Sequence, residues 1–343
     1  PTWNICTPDG EVLLSTSIEV QVGDQFLNED NKLYEVVSLD AQRAVMKQIG
    51  TVDLSSFTRP SSTTADGEAI PVQARQGTVG IYHTHGWESY RPSDGKDQTV
   101  GRGGIFDVGD AMAAGFKDRG LKVERSTTQE RSYNTSRRTA LDLLKTGSDL
   151  IIDVHRDTGP ATQYYYNIDG QPATKALLVV GRQNPNMEVN KELAYRVKGA
   201  ADSSQPGLIR GIYMAQGNYN QDLSPRAMLV EFGSSANLKE AASRSAYSLA
   251  GVITELLFPP AAPSAPVAPG AGAQTTPGAA RPQSSATERR AAWRSYLAWA
   301  ALILVMVGGF LLINEPSWQG MKKRIKQFTN EEFGDLFGRV KRK

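Results

Sequence analysis

Between residues 73 and 258, short apolar runs that are typical of buried strands alternate with longer amphipathic stretches that are typical of helices. The strand-like runs include "TVGIYHTH", "DLIIDVH", "ALLVVG" and "AMLVEFG", and the helical stretches include "DVGDAMAAGFKDRG" and "AASRSAYSLAGVITELL". This alternation predicts an α/β domain in which helices flank a mostly parallel central sheet. Functional side chains of such domains collect beyond the carboxyl ends of the strands.

The residues on either side of this domain have a different character. Residues 1–72 contain short β-branched and apolar runs separated by turn signals, which predict a small β-rich module. Residues 259–295 are rich in proline, alanine and glycine and contain little apolar bulk. They therefore predict an extended linker.

Residues 296–313 carry no charge and are long enough to span a bilayer. Aromatic residues such as Trp299 and Trp318 are placed as interfacial anchors at either end. A buried helix of a soluble domain is the alternative, but the linker before this stretch and the basic residues 314–343 after it favour a transmembrane helix. We expect a single-pass protein of the cell membrane, with a cytoplasmic tail and an extracytoplasmic catalytic domain.

Composition limits the classes of function. The net charge of the 343-residue chain is only +2, so no nucleic-acid partner is expected. Cys6 is the only cysteine, which excludes an intramolecular disulfide framework and a cysteine-based zinc cluster. The chain has three histidines, which lie in just two motifs, "HTH" at 83–85 and "DVHRD" at 153–157. This clustering indicates that the imidazoles act together.

The spacing of His85 and Glu88 allows an imidazole and a carboxylate to converge on one ion from a turn that follows a strand. His155 ends another predicted strand and can supply a third ligand. Two histidines and one carboxylate leave a fourth tetrahedral position open, which is typical of catalytic zinc sites. The sequence therefore predicts a zinc ion held by these three residues.

Such a site needs a proton acceptor, and Glu231 is the candidate because it ends an otherwise apolar run. A capping or salt-bridged glutamate at a strand end is the alternative. If strand alternation continues through the first motif, His83 faces the same way as His85. His83 is therefore a candidate catalytic residue near the metal, either as a further ligand, as a donor to a ligand or as a stabiliser of the transition state.

Charged residues flank His155 in its motif. Asp153, Arg156 and Asp157 can orient the imidazoles, clamp a substrate carboxylate, or form an ion-pair network that holds the loop. We expect Arg156 and Tyr90 to help to bind the substrate.

The segments "IYHTHGWESY", "SYNTSRR", "IIDVHRD" and "AMLVEFGSSAN" resemble, in order and spacing, the motifs of the stage II sporulation protein P family. The resemblance covers roughly residues 75–258, and Trp87 falls outside the matched pattern. It implies a zinc-dependent N-acetylmuramoyl-L-alanine amidase of α/β fold that also cuts peptide cross-links. It further implies that His85, Glu88 and His155 hold zinc, that Glu231 is the catalytic carboxylate, and that stage II sporulation proteins D and M are partners.

We therefore expect a membrane-anchored zinc hydrolase of peptidoglycan that acts in sporulation-associated wall remodelling. One alternative is a zinc carboxypeptidase of wall peptides, which would need a cation such as Arg156 or Arg210 for the free carboxylate of its substrate. The other is a non-catalytic wall-binding or assembly module, which would not need a proton acceptor at Glu231.

Overall fold

The apolar runs form strands and the amphipathic stretches form helices within residues 2–57 and 77–259, which are the residues that the computed structural model describes. The amino-terminal strands are β1 (Trp3–Cys6), β2 (Val12–Thr16), β3 (Gln25–Asn28), β4 (Lys32–Asp40) and β5 (Arg43–Thr51). The later strands are β6 (Thr78–Tyr82), β7 (Lys122–Arg125), β8 (Leu150–Asp157), β9 (Tyr165–Ile168), β10 (Gln171–Thr174), β11 (Ala176–Gly181), β12 (Ile209–Ala215) and β13 (Ala227–Ser234). The helices are α1 (Arg91–Asp94), α2 (Ile105–Lys117), α3 (Tyr133–Lys145), α4 (Met187–Ser204) and α5 (Lys239–Leu257), and short 3₁₀ turns lie at Ser55–Phe57, Ala161–Tyr164 and Gln221–Leu223.

One eleven-stranded sheet has the order β2-β1-β5-β4-β3-β12-β11-β13-β8-β6-β7, and β9 and β10 form a separate hairpin. Strands β7, β6, β8 and β13 are parallel to one another. Their carboxyl ends therefore meet at one edge of the sheet. Strands β8 and β13 are buried along their whole length, as expected for apolar strands that are covered on both faces.

The sheet is mixed, whereas the sequence predicted a mostly parallel one. Strand β11 is antiparallel to β13 and parallel to β12. The chain leaves β8 through the β9–β10 hairpin instead of a crossover helix, so β11 starts at the edge where β8 ended and runs back. A parallel neighbour would have required a helix to return the chain to the opposite edge.

The amino-terminal strands continue the same sheet, because β3 pairs with β12 in antiparallel register. Their apolar side chains, including Ile5 and Leu14, share a buried cluster with Leu177 and Leu229 of the central strands. The described residues all fall within one compact unit, Pro1–Val267. The predicted separation of a 1–72 module from a 73–258 domain is therefore not what the sheet shows: strands from both ranges build one sheet and one buried cluster.

Helices α2, α4 and α5 cover the other face of the central strands through a large apolar cluster that includes Phe106, Leu193 and Leu249. No helix within residues 2–57 and 77–259 is both long enough and apolar enough to cross a membrane. The predicted transmembrane helix at 296–313 lies outside the described residues, as do nearly all of the predicted linker and the whole basic tail.

Asp24 links the amino-terminal strands to the central ones. Its buried carboxylate accepts hydrogen bonds from the backbone of Gln21 and Gln216, the hydroxyl of Tyr213 and the guanidinium of Arg182, at 2.7–3.0 Å. We predict that Asp24→Ala lowers the free energy of unfolding by about 3 kcal/mol, because it leaves buried donors without an acceptor. Denaturant unfolding of the purified protein measures this change.

Asp40→Ala is the matched control, because Asp40 is an exposed aspartate of the same amino-terminal strands. We expect it to change the free energy of unfolding by no more than about 0.5 kcal/mol. Equal stabilities for the two variants would contradict the role of Asp24 in joining the two parts of the sheet.

Candidate metal centre

The predicted site residues meet at the edge where the parallel strands β6, β8 and β13 end. Strand β6 ends at Tyr82, and the turn that follows carries His85 and Glu88. His155 lies on β8 and is paired in register with Glu231 on the adjacent strand β13. Strand order and direction thus bring together residues that are far apart in the sequence.

Glu88 lies between the two histidines. Its Oε1 atom is 3.5 Å from His85 Nδ1, and its Oε2 atom is 3.5 Å from His155 Nδ1. One ligand atom from each of the three residues can be chosen so that all of them lie within 4.8 Å of one another. Ligand atoms about 2.0–2.1 Å from a tetrahedral zinc ion would be about 3.4 Å apart, so both spacings suit that ion.

The donor set also fits zinc chemically, since two imidazole nitrogens and one carboxylate oxygen are typical zinc ligands. Glu88 and His155 are buried, whereas 28% of the His85 side chain is exposed. The group is therefore open to solvent on the His85 side. The structure brings together the three ligands that the sequence predicted, and they can hold a metal ion.

Arg156 fixes the position of Glu88. Its backbone N–H donates to Glu88 Oε2 at 3.0 Å. Its buried guanidinium donates to the carbonyls of Ser89 and Asp97 at 3.1 and 2.7 Å. Burial alone raises the pKa of the Glu88 carboxyl, but the positive charges of His155 and Arg156 outweigh burial and lower that pKa well below its ordinary value.

Asp153 orients the imidazole of His155. Asp153 Oδ1 is 3.0 Å from His155 Nε2, on the opposite side of the ring from Glu88, and it also accepts from Thr84 N at 2.8 Å. Burial lowers the pKa of His155, yet the carboxylates of Asp153 and Glu88 raise it well above the ordinary value. Asp153 is thus placed like the carboxylates that fix metal-bound histidines in other sites.

Glu231 is buried opposite His155, and its Oε2 atom has no hydrogen-bond partner among the described residues. Burial raises the pKa of this carboxyl well above its ordinary value. The alternative of a capped or salt-bridged glutamate finds no support in the hydrogen bonds and ion pairs of the described residues. An unpaired buried carboxyl group is costly, and its position beside His155 suits proton transfer at the site.

His83 is not one of the three residues that can hold a metal ion together. Its Nδ1 atom is 2.9 Å from the carbonyl oxygen of Val154, and its ring packs against Phe106 and Gly109 of helix α2. The strand ends at Tyr82, and the chain then turns over residues 84–87, so the alternation assumed for His83 and His85 does not continue. Burial lowers the pKa of His83 to about 4, and its ring is therefore neutral at physiological pH.

The two residues chosen to seat the substrate have partners inside the protein. The Arg156 guanidinium is engaged by backbone carbonyls, as described above. The hydroxyl of buried Tyr90 donates to the carbonyl oxygen of Phe232 at 2.8 Å, which ties the residues after Glu88 to strand β13. Both side chains thus support the ligand turn, and their use by a substrate stays a prediction.

Asp157 joins strand β2 to the end of β8. Its carboxylate accepts hydrogen bonds from Thr16 Oγ1 and Tyr164 Oη at 2.9 and 2.7 Å.

Tyr133 lies in the segment "SYNTSRR", and the sequence predicts no role for it in the site. Its ring centroid lies 5.6 Å from that of His85 and 6.2 Å from that of His155, and it forms one wall of the site. Its position just after Ser132, the residue that caps helix α3, was the available signal.

We predict that Asp153→Asn weakens zinc binding about 10–100-fold, because the amide orients the His155 imidazole less firmly and supplies no negative charge. Competition with a zinc-sensitive chelating dye measures the affinity. The exposed residue Asp142, which pairs only with nearby basic side chains, provides the control variant Asp142→Asn. Equal zinc affinities for the two variants would contradict the orienting role of Asp153.

Comparison with known proteins supports the family resemblance that the four motifs indicate. Stage II sporulation protein P of Bacillus subtilis (strain 168) is 28% identical over 241 residues, which cover 62% of this chain and 60% of that protein. Solved structures of N-acetylmuramoyl-L-alanine amidases match more weakly. Ami1 from Mycobacterium smegmatis is 14% identical, with 52% of this chain and 95% of that chain covered and a TM-score of 0.36. The enzyme from Clostridium difficile 630 is 18% identical, with 52% and 96% covered and a TM-score of 0.32.

Similarities at these TM-scores do not support a functional assignment. The match to the family itself is extensive, because the pattern of Stage II sporulation protein P aligns with residues 16–254. It includes the amino-terminal strands from the end of β2 onwards as well as all four motifs of the site. The chain therefore belongs to the Stage II sporulation protein P family.

Proposed function

We propose that this chain is a zinc-dependent peptidoglycan hydrolase that cleaves the amide bond between the lactyl group of N-acetylmuramic acid and L-alanine. Family membership supports a role in remodelling the cell wall during sporulation. The arrangement of Glu88 between two imidazoles, with Glu231 beside His155, is the observation that carries the proposal. It combines a zinc-type donor set with a buried carboxyl group that has no structural partner.

Zinc held by His85, Glu88 and His155 supplies Lewis-acid chemistry, which acidifies water and polarises a carbonyl oxygen. The protein supplies the proton transfers. Glu231 accepts a proton from the attacking water and then delivers it to the nitrogen of the departing amine. Asp153 keeps the His155 imidazole in one orientation throughout.

A carboxypeptidase receives less support. Such an enzyme would need a cation that is free to bind the terminal carboxylate of its substrate. Arg156 is buried and bonded to backbone carbonyls. Arg210 is also buried, lies over the ring of Tyr164 and donates to the carbonyl oxygen of Leu13 at 3.1 Å. Both arginines that the sequence offered for this role therefore have partners elsewhere.

The direct test is to incubate the purified full chain with purified peptidoglycan, with and without a chelator. We expect glycan strands without stem peptides as the product, about one zinc ion per chain, and loss of cleavage when the chelator removes the metal. Cleavage that persists after complete removal of the metal would overturn the proposal.

Two variants separate the metal ligands from the proton acceptor. We predict that Glu231→Gln keeps its zinc and its fold but loses about 10²–10⁴-fold in hydrolysis, because the amide cannot accept the proton. His155→Ala should lose zinc and hydrolysis together, because only two ligands remain. Elemental analysis and product release from peptidoglycan measure the two properties.

Glu192→Gln is the control, since Glu192 is an exposed glutamate of helix α4. It should retain both zinc and hydrolysis. Near-complete activity of Glu231→Gln would remove Glu231 from the mechanism and return it to a structural role.

We further propose that residues 296–313 anchor the chain in the cell membrane with the described residues outside. The proposal rests on the uncharged stretch, the preceding linker and the basic tail of the sequence. Stage II sporulation proteins D and M stay predicted partners at that membrane. Protease added to intact protoplasts should release the folded hydrolase domain by cutting the linker. Protection of the domain until the cells are lysed would contradict this orientation.

A further inference from the structure

A cavity of about 340 Å³ shares Trp87 with the turn that carries His85 and Glu88. Its lining includes Trp87, which lies between the ligands His85 and Glu88 in the turn, together with Gln98, Gln129 and Arg131. The ring centroid of Trp87 is 5.4 Å from that of His85. Trp87 therefore lies between the cavity and His85, although none of the candidate metal ligands lines the cavity itself.

The walls of the cavity are hydrogen-bonded to the ligand turn. The carbonyl oxygen of Trp87 accepts from Thr99 N at 2.8 Å, and Gly86 N donates to the carbonyl oxygen of Glu130 at 3.1 Å. Glu88 and Gln98 also form an isolated antiparallel bridge. The loops on both sides of the cavity are thus held in a constant relation to the metal ligands, as a substrate-positioning site requires.

The polar groups of the cavity suit a neutral ligand. The side chains of Gln98, Gln129 and Arg131 make no hydrogen bond with the described residues, so they are available to a ligand. The Glu130 carboxylate accepts from Thr139 Oγ1 at 2.7 Å, which occupies the acidic group of the lining. The partly exposed indole of Trp87 adds a flat apolar face.

An amino sugar matches these features. One face of a pyranose ring carries C–H groups that can pack against an indole, while its hydroxyl and acetamido groups can bond to amides and to a guanidinium. The cavity volume lies at the lower end of the range of about 300–1,000 Å³ for small-molecule pockets, which suits a single sugar ring. The stem peptide carries several carboxylates and would call for more positive charge than one arginine provides.

The geometry points to this cavity as the subsite for the N-acetylmuramic acid ring, with Trp87 as its main contact. This inference rests on the proposed amidase function. In the substrate, the carbonyl carbon of the scissile amide is joined to the sugar ring through three single bonds. The ring must therefore lie beside the metal ligands, where Trp87 and the cavity are found.

Two substrates with the same scissile amide test the subsite in the full chain. One is N-acetylmuramoyl-L-alanyl-D-isoglutamine, and the other is D-lactoyl-L-alanyl-D-isoglutamine, which lacks the sugar. We predict that Trp87→Ala lowers kcat/KM for the first substrate about tenfold or more beyond any loss on the second. Trp87→Phe, which keeps an aromatic face, should lose less. The zinc content should stay the same in both variants.

Equal losses on the two substrates, or no loss on the sugar-bearing one, would overturn the subsite. A loss confined to the lactoyl peptide would place the peptide in the cavity and would also overturn it. Tyr165→Ala is the control, because Tyr165 is a highly exposed aromatic residue on the separate β9–β10 hairpin. It should leave both values of kcat/KM unchanged.

A binding measurement separates the subsite from the proposed activity. Glycan chains without stem peptides contain no scissile amide, and their binding to the full chain can be followed by calorimetry. We expect Trp87→Ala to weaken this binding about tenfold or more, whereas Tyr165→Ala should not. If the wild-type chain binds the glycan through Trp87 but hydrolyses neither substrate, the amidase proposal fails and the subsite stands. If it hydrolyses both and Trp87→Ala changes nothing, the subsite fails and the amidase proposal stands.

Discussion

The buried guanidinium of Arg156 is the interaction on which the rest of the site depends. A buried charge costs several kcal/mol unless nearly all of its donors are satisfied. Here the guanidinium donates to the carbonyls of Ser89, Asp97 and Asp157. It also lies 4.0 Å from Glu88 Oε1, and the backbone N–H of the same residue binds Glu88. Strand β8 thus fixes the turn that follows β6, and with it the carboxylate that lies between the two histidines.

The same constraint extends to the cavity beside the metal ligands. Asp97 lies next to Gln98 in the loop that forms one wall, so Arg156 holds that wall as well as the ligand turn. The hydroxyl of Tyr90 anchors the other end of the segment to strand β13. The turn that carries the candidate ligands, strand β13 and the cavity wall are therefore joined by hydrogen bonds, so a change at one residue is expected to disturb the others.

Local patterns were sufficient to predict most of the elements and the convergence of the candidate metal-binding residues. Apolar runs and amphipathic periodicity predicted the strands and helices after residue 77 except for α1 and the β9–β10 hairpin. The predicted strand-end positions of His85, His155 and Glu231 indicated their convergence. The predictions of a mostly parallel sheet and of a separate amino-terminal module failed, because they depend on contacts between residues that are far apart in the sequence. Strand β3 pairs with β12, which lies far away in the chain, and the sequence of neither strand indicates which strand it pairs with.

The surroundings of His83, Arg156 and Tyr90 could not be predicted for the same physical reason. The direction of His83 depends on where a strand gives way to a turn, and a strand end is uncertain by one or two residues. The burial of Arg156 and Tyr90 depends on carbonyl groups supplied by other segments. Residue type alone indicates that an arginine or a tyrosine can bind a substrate, but only the fold shows which donors are already occupied.

The balance of buried charge gives a reason for the site to take a cation. The buried carboxyl groups at this edge are Glu88, Asp153, Asp157 and Glu231. Arg156 contributes one permanent positive charge beside them, and His155 contributes a second only while its imidazole is protonated. Burial raises the pKa values of Asp157 and Glu231 above their ordinary values. A divalent cation between the histidines would stabilise the ionised form of a nearby carboxylate, because the ion is the largest local charge. If zinc binds at this site as proposed, metal binding is therefore coupled to the charge state of Glu231, the proposed proton acceptor.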